Sequence, residues 1–259
     1  MLLALDIGNT EITIGLFDED ELVARWRLTT QHDRTPDEWA STLASLLQQS
    51  GYGAKDIRGV IYASVAPAVT QSLAQATTML THLPAIAVDA RSKLPITLDV
   101  DEPQTVGADR IVNTLAAKVL YGTDTIVVDF GTATTFDCIT ADGKFIGGVI
   151  MPGLRTSADQ LTRKAAKLPA TELTPPSRAI GRRTEECIRA GVLFGTADSV
   201  DGLLRRIIAE WPGGKTPRIV ATGGLAGMIA PLTQLVKEVA PDLTLQGLRI
   251  AAAHLKVGA

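Results

Sequence analysis

One short motif occurs twice in this chain, and its repetition constrains the fold more than any other feature. The two copies read DIGNT at residues 6–10 and DFGTATT at residues 129–135. An apolar run precedes each copy, and a second β-prone run with a polar turn near residues 18–20 or 141–143 follows it. Each copy therefore predicts a strand, a tight polar turn and a second strand, and the chain is expected to contain two halves built alike.

The residue types in these turns suit a phosphate ligand. Glycine lets the backbone approach a ligand closely, and hydroxyl and amide groups donate hydrogen bonds to phosphate oxygens. Asp6 and Asp129 each follow an apolar strand, where a carboxylate can hold a cation or its water shell. A single Asp-x-Gly is an ordinary turn, but two copies in the same context indicate a clamp for phosphate groups.

The duplicated pattern resembles the ribonuclease-H-like fold that actin, sugar kinases and the seventy-kilodalton heat-shock ATPases share. This resemblance implies an α/β fold of two lobes with a central cleft. We expect an N-terminal lobe with the first turn at residues 1–110. A C-terminal lobe at residues 111–259 would contain the second turn, a dimer helix and a turn that contacts the nucleotide base.

Composition limits the classes of function. With 259 residues, 46% of them hydrophobic, the chain is long enough to bury a substantial core. Its net charge of −3 argues against a general nucleic-acid or acidic-membrane binder. A group of arginines between residues 178 and 189 either attracts an anionic ligand or forms a solvated surface.

Cysteine and histidine usage favours neither a disulfide framework nor a zinc site. Cys138 and Cys187 have no CxxC spacing, and the three histidines are scattered along the chain. No apolar run reaches the length of a membrane span, and Met1 leads directly into the first strand without a basic leader. We therefore expect a soluble, cytoplasmic protein with no nucleic-acid or membrane partner.

The rest of the pattern predicts helices that alternate with strands. Thr35, Pro36 and Glu38 supply a capping hydroxyl, a helix-start proline and an acid at the third helical position, which predict a helix over 36–49. Further helices are expected over 111–120 and 184–210, and a strand over 218–221. Residues 169–183 are expected to form an irregular loop.

Two further motifs have both a structural and a functional interpretation. The first is GADR at residues 107–110. In the structural interpretation, Asp109 is an acid at a helix start, stabilised by the helix dipole and paired with Arg110. In the functional interpretation, Asp109 accepts the proton of a substrate hydroxyl while Arg110 binds a substrate anion. In TGG at residues 222–224, Gly223 either forms an ordinary strand-to-helix turn or contacts the base or ribose of a nucleotide.

Taken together, the motifs resemble those of the type III pantothenate kinases. The matching segments are DIGNT at 6–10, GADR at 107–110, DFGTAT at 129–134, GGVIMPG at 147–153, Thr184 before Gly191, TGG at 222–224 and LQGL at 245–248. They follow the order of that family and span essentially the whole chain. The resemblance implies ATP-dependent phosphorylation of pantothenate to 4'-phosphopantothenate, the first step of coenzyme A biosynthesis.

The same resemblance implies a role for each matching residue. ATP phosphates would be bound by Asp6, Ile7, Gly8, Asn9, Thr10, Glu11, Ile12 and Thr13, with Asp6 near magnesium, and ATP would also contact Thr132. Asp129 would hold a monovalent cation, potassium or ammonium, and Asp109 would be the general base. Pantothenate would be bound by Gly107, Ala108, Asp109, Arg110 and Thr184, the last of these across the interface of a homodimer.

Two positions depart from the family pattern within the expected site. Val100 stands where many members have a tyrosine that lines the substrate-binding site, so one pocket contact is expected to be missing. Glu11 stands where a neutral residue is expected. A carboxylate beside the ATP phosphates would weaken ATP binding unless it faces solvent or magnesium.

Two alternative functions remain at the level of sequence. One is a sugar kinase of the same superfamily, against which stand the short chain and the absence of a cysteine-rich zinc motif. The other is a nucleotide-binding regulatory or accessory protein without kinase activity. Intact Asp6, Asp109, Asp129 and Thr184 argue against a decayed site of that kind.

Overall fold

The computed structural model describes residues 1–258 and divides into two compact units. The first comprises Met1–Leu120, Gly143–Phe145 and the segment from Leu243 onward, and the second comprises Tyr121–Asp142 and Ile146–Asp242. The units do not follow the single boundary between residues 110 and 111 that the sequence suggested. That point lies inside a helix, α3 (Ala108–Tyr121), whose buried side packs within the first unit.

The sheet of the first unit has five strands. They are β1 (Leu2–Ile7), β2 (Glu11–Asp18), β3 (Glu21–Thr29), β4 (Gly59–Ser64) and β5 (Ala85–Val88), in the spatial order β3-β2-β1-β4-β5. Strands β1, β2 and β3 form an antiparallel meander, while β4 lies parallel to β1 and β5 parallel to β4.

Helices cover both faces of this sheet. On one face, α1 (Pro36–Gln49) and α2 (Pro67–Thr81) contribute Trp39 and Leu73 to a core that contains Leu5. On the other, α3 and α7 (Leu243–His254) pack around Ala4, Ile61 and their neighbours. Burial on both faces explains why β1 and β4 are almost continuously apolar rather than alternating.

The expected start signals of α1 are present in the structure. Thr35 Oγ1 accepts the backbone N–H of Glu38 at 3.3 Å, and Glu38 Oε2 accepts the backbone N–H of Thr35 at 2.8 Å. The helix spans residues 36–49 as predicted. This capping box satisfies two N–H groups that a helix start leaves without an intrahelical partner.

The sheet of the second unit repeats the arrangement. Its strands are β7 (Thr125–Phe130), β8 (Ala133–Ile139), β9 (Lys144–Pro152), β10 (Arg218–Thr222) and β11 (Glu238–Val239), in the order β9-β8-β7-β10-β11. The first residues of β9, Lys144 and Phe145, belong to the first unit and pair there with the short strand β6 (Thr97–Leu98).

Three helices belong to the second unit. They are α4 (Leu154–Lys164), α5 (Thr184–Ala209) and α6 (Ala226–Ile229). A buried core joins the sheet to α5, with Val128 and Phe136 on the strands and Leu193 and Leu204 on the helix. Within residues 1–258, no helix is both long and apolar enough to cross a membrane.

The two sheets correspond strand for strand. In each unit the first strand has the second strand antiparallel on one side and the fourth strand parallel on the other. The duplication seen in the two Asp-x-Gly motifs therefore extends to the whole strand order. This correspondence confirms the predicted duplicated ribonuclease-H-like fold.

Candidate active site

The first Asp-x-Gly turn connects β1 to β2 and is closed by one backbone hydrogen bond. The N–H of Gly8 donates to the carbonyl oxygen of Glu11 at 3.0 Å, which leaves Asn9 and Thr10 exposed at the tip. Asp6 pairs in register with Thr13 on β2 and Ala63 on β4. Its side chain therefore lies on the same sheet face as theirs, immediately before the turn.

The second turn connects β7 to β8 and is one residue shorter. The N–H of Gly131 donates to the carbonyl oxygen of Ala133 at 3.1 Å, so that only Thr132 lies between the paired residues. Asp129 pairs in register with Thr135 on β8 and Thr222 on β10. The two motifs thus look alike in sequence, but their turns differ in length.

Gly223 adjoins the second turn and could not easily be any other residue. Its φ is +90°, a conformation that side chains rarely adopt, and a Cβ atom there would lie 2.7 Å from the backbone nitrogen of Phe130. The same Cβ would collide with Oδ1 of Asp129. The strand-to-helix turn after β10 is therefore packed directly against the Asp129 carboxylate.

Asp109 lies in the first turn of α3, which begins at Ala108, three residues before the predicted start. Its Oδ1 accepts the backbone N–H of Arg110 at 2.8 Å. The residue is half-buried. Burial raises the pKa of the Asp109 carboxyl above its ordinary value, while the N–H and the guanidinium of Arg110 oppose that rise.

The neighbours of Asp109 fix its position and that of Arg110. A Cβ atom on Gly107 would lie 2.5 Å from Asp109 Oδ1 and 3.4 Å from Val65 Cγ1, so the carboxylate folds back over bare backbone. The guanidinium carbon of Arg110 lies 4.8 Å from the centre of the Phe145 ring. This cation–π contact holds the positive group in a defined orientation.

The two departures from the family pattern that fall within the expected site, Glu11 and Val100, lie in the first unit. Glu11 begins β2, and its exposed carboxylate lies 3.9 Å from Arg27 Nη1. The side chain thus faces solvent and a basic neighbour, which is one of the two arrangements in which it would not weaken ATP binding. Val100 is half-buried in the segment after β6.

Thr184 is the exposed first residue of α5, at the end of the irregular loop. The arginines of this loop make local contacts. Arg178 pairs with Glu186 at 3.2 Å, and the backbone N–H of Arg182 donates to the same carboxylate at 2.8 Å. Nε of Arg189 donates to the carbonyl oxygen of Glu172 at 2.9 Å. Two of the arginine side chains proposed as an anion-binding group are thus engaged in holding the loop.

The predicted site residues are divided between the two units. The first unit contains the turn after Asp6, the GADR segment and Val100, and the second contains Asp129, Thr132, Gly223 and Thr184. Two threonines that the sequence did not single out contact the turns through their hydroxyls, Thr30 at Gly8 and Thr156 at Thr132. Thr30 belongs to no motif named above, and Thr156 lies three residues after GGVIMPG, so each reaches its turn only through the fold.

A groove of about 840 Å³ lies elsewhere in the first unit, between α2 and β5. It is lined by residues that include Tyr62, Gln71, Gln75 and Ala87, and by none of the predicted site residues. The groove is therefore separate from the two turns and from Asp109.

The comparisons with known proteins agree with these motifs. A sequence model described as type III pantothenate kinase matches residues 2–206. A type III pantothenate kinase of Moorella thermoacetica is 46% identical over 96% of this chain and 98% of its own length. Another, of Thermomicrobium roseum, is 45% identical over 100% of both.

A solved structure with low sequence identity supports the fold alone. Component A of the (R)-2-hydroxyglutaryl-CoA dehydratase of Acidaminococcus fermentans superposes with a TM-score of 0.57 at 14% identity, over 99% of this chain and 97% of that one. The family match and the two relatives confirm the recognition made from the motifs, and they favour the pantothenate kinase over the sugar kinase and the regulatory protein. This chain belongs to the type III pantothenate kinase family, whose members use ATP to phosphorylate pantothenate in coenzyme A biosynthesis.

Proposed function

We propose that Asp109 is the general base of this pantothenate kinase and that the turns after Asp6 and Asp129 hold the phosphates of ATP. The observation that carries the proposal is the state of Asp109, a half-buried carboxylate fixed by the N–H of Arg110 with its pKa raised by burial. A carboxylate with a raised pKa takes a proton from a hydroxyl more readily than an ordinary one. That proton would leave as the hydroxyl oxygen of pantothenate bonds to the γ-phosphorus and ADP departs.

The substrate contacts follow from the charge of pantothenate, which carries a carboxylate. Arg110 would bind that carboxylate through its forked N–H groups, and its contact with Phe145 orients the guanidinium before the substrate arrives. The backbone of Gly107 and Ala108, with Val100, would line the rest of the pocket. Binding therefore places the hydroxyl within reach of Asp109, and this positioning contributes to the rate.

The donor set at the first turn fits magnesium. Magnesium is usually bound by one or two carboxylates, water and the substrate phosphates, rather than by a complete cage of protein ligands. Asp6 supplies one carboxylate, and no group of three or more His, Cys, Asp or Glu within residues 1–258 forms a protein-only metal site. Asp6 would hold the ion, which would neutralise charge on the ATP phosphates when bound.

The second turn fits a monovalent cation better. Asp129 has Thr135 and Thr222 as its cross-strand neighbours, so its carboxylate lies on the same sheet face as two threonine hydroxyl groups. These form a weak field that suits potassium or ammonium more than a small divalent ion. Asp129 would hold the cation, and its charge would reduce the repulsion between this carboxylate and the phosphates. Thr132 and Gly223 would contact ATP beside it.

We further propose a homodimer in which Thr184 contacts pantothenate bound to the neighbouring subunit. Thr184 is exposed at the start of the long helix α5, and apolar side chains in the same unit, Ile150 and Ile180, are 65% and 83% exposed. Exposed apolar residues of this size are typical of surfaces that a second subunit covers. We place the reaction in the cytoplasm, where ATP is available.

The test is a coupled assay that follows ADP formation with ATP, magnesium and potassium. Pantothenate should support turnover, whereas glucose and N-acetylglucosamine should not. The Asp109→Asn protein, purified in the same way, controls for contaminating kinases. Turnover with a sugar, or equal ADP release with and without pantothenate, would contradict the proposal.

A further inference from the structure

One threonine holds the first turn at two points. Thr30, the residue directly after β3, donates its hydroxyl to the carbonyl oxygen of Gly8 at 2.7 Å. Its backbone N–H also donates to the carbonyl oxygen of Thr10 at 3.0 Å. Since Thr30 is only 8% exposed, water does not readily replace the hydroxyl. Thr30 therefore holds the carbonyl group of Gly8, before the exposed tip, and that of Thr10, at its end.

A second threonine makes a similar contact at the other turn, one position further from the aspartate. Thr156, in the first helical turn after β9, donates its hydroxyl to the carbonyl oxygen of Thr132 at 2.7 Å. The backbone N–H of Gly153 donates to the same oxygen at 3.2 Å. The carbonyl of Thr132 is thus held twice by residues that follow the third strand of the sheet, whereas in the first unit Thr30 holds two different carbonyls once each.

The repetition is not a consequence of sequence similarity. Thr30 is one residue beyond its strand and Thr156 is four residues beyond, and the two turns differ in length. The feature that both halves keep is a threonine hydroxyl bonded to a carbonyl of the Asp-x-Gly turn. Because the same kind of contact occurs in two different local geometries, we infer that each turn needs one of its carbonyl groups held in a fixed orientation.

The requirement follows from the planarity of the peptide bond. In a trans peptide the carbonyl oxygen and the N–H of the next residue point in opposite directions, and no cis peptide occurs within residues 1–258. The hydrogen bond that holds the Gly8 carbonyl towards Thr30 therefore directs the N–H of Asn9 away from Thr30. In the same way, holding the Thr132 carbonyl towards Thr156 directs the N–H of Ala133 to the opposite side.

We propose that Thr30 and Thr156 are positioning residues that orient the backbone N–H groups of the two turns for the phosphate oxygens of ATP. The inference rests on the proposed role of these turns in ATP binding. Neither threonine needs to touch the nucleotide. Each acts through a carbonyl, and the loss of its hydroxyl would weaken the hold on that peptide and on the N–H group that the peptide directs.

The test removes only the hydroxyl, by Thr30→Val and Thr156→Val, and restores it by Thr30→Ser and Thr156→Ser. We expect each valine variant to raise the KM for ATP, and the Kd for magnesium-ATP measured by calorimetry, by about fivefold to tenfold, as for the loss of one hydrogen bond that holds a binding loop. The KM for pantothenate should not change. The serine variants should bind ATP as the wild type does.

Thr77→Val and Thr196→Val are matched controls. Their hydroxyls donate to helix carbonyls at 2.8 and 2.7 Å, away from both turns, and both residues are as buried as Thr30 or more so. They should lower Tm without changing the Kd for ATP. If Thr30→Val does not fold, Thr156→Val provides the test of ATP binding. Thr156 is less buried than Thr30, and its valine variant keeps the contact between Gly153 and Thr132.

Three outcomes would overturn the inference: an unchanged ATP Kd in the valine variants, an equal loss of ATP and pantothenate affinity, or weak ATP binding that persists in the serine variants. These outcomes are separate from a failure of the proposed function. A wild-type protein that does not phosphorylate pantothenate, but binds ATP in a manner that depends on Thr30 and Thr156, would reject the function and keep the inference.

Discussion

Oδ1 of Asp109 lies over the Cα of Gly107, at 2.5 Å from the position that a Cβ atom on Gly107 would occupy. Gly107→Ala should therefore push the carboxylate aside rather than unfold the protein, because the atom that must move is the end of a side chain. A displacement of about 1 Å in a catalytic group costs on the order of a hundredfold in rate. We expect kcat to fall by at least tenfold with little change in Tm.

Gly202→Ala is the control for this prediction. Gly202 lies within α5, and a Cβ atom there would have no neighbour within 4 Å. The change should leave kcat unaltered and stabilise the helix by about 0.5–1 kcal/mol. Wild-type kcat in Gly107→Ala would show that the placement of Asp109 over Gly107 has no catalytic importance.

Asp109→Asn should lose most turnover and keep the fold. The amide fills the same space and its oxygen can still accept the N–H of Arg110, but it cannot take up the hydroxyl proton. A general base typically contributes about a hundred- to ten-thousand-fold. Because burial raises the pKa of Asp109, the ionised carboxylate destabilises the folded state at pH values above that pKa. This destabilisation is lost as the pH falls through the pKa. The variant should thus have a Tm at neutral pH at least equal to that of the wild type. Near wild-type activity would reduce Asp109 to a helix-start acid.

The pH profile should reveal the same carboxyl. The base must be deprotonated, so kcat/KM for pantothenate should fall as pH decreases through the pKa of Asp109, and this acid limb should lie above the ordinary value of 3.8. Arg110 lowers that pKa. Arg110→Gln should therefore move the limb to higher pH, in addition to weakening pantothenate binding. If the acid limb of Arg110→Gln lay at the same pH as that of the wild type, the limb would not report the ionisation of Asp109.

Turnover should depend on a monovalent cation at Asp129. Activity should rise when potassium or ammonium replaces sodium in the assay, because an unneutralised carboxylate beside the phosphates would repel them. Asp129→Ala should lose both activity and this response. Equal rates in sodium and potassium, together with an active Asp129→Ala protein, would show that Asp129 only stabilises its turn and binds no cation needed for catalysis.

A mixing experiment tests the role of Thr184 across a dimer interface. Asp109→Asn and Thr184→Val should each be nearly inactive alone. If every site combines Asp109 of one subunit with Thr184 of the other, each mixed dimer has one intact site, and random exchange restores about a quarter of wild-type activity. No restoration after exchange, or a fully active monomer in light scattering, would place Thr184 outside the neighbouring site.

Much of the fold could be predicted from short-range patterns. The capping residues around Thr35 fixed the bounds of α1, and the two Asp-x-Gly turns indicated the duplication that the strand order then confirmed. Such signals are local, since a cap or a tight turn depends on residues within three or four positions. The motifs also identified the family, because their order along the chain is itself a property of the sequence.

The tertiary structure decided what depends on residues far apart in sequence. The structure begins α3 at Ala108, where the side chain of Asp109 is half-buried and its pKa is raised. The second turn is one residue shorter than the first although the motifs look alike, because strand register is set by the pairing of β7 with β8. Thr30 and Thr156 reach their turns from the ends of third strands, 22 and 24 positions away. The sequence by itself determined which chemical groups the candidate site offers, whereas packing determined their burial, their orientation and the hydrogen bonds to the turn carbonyls.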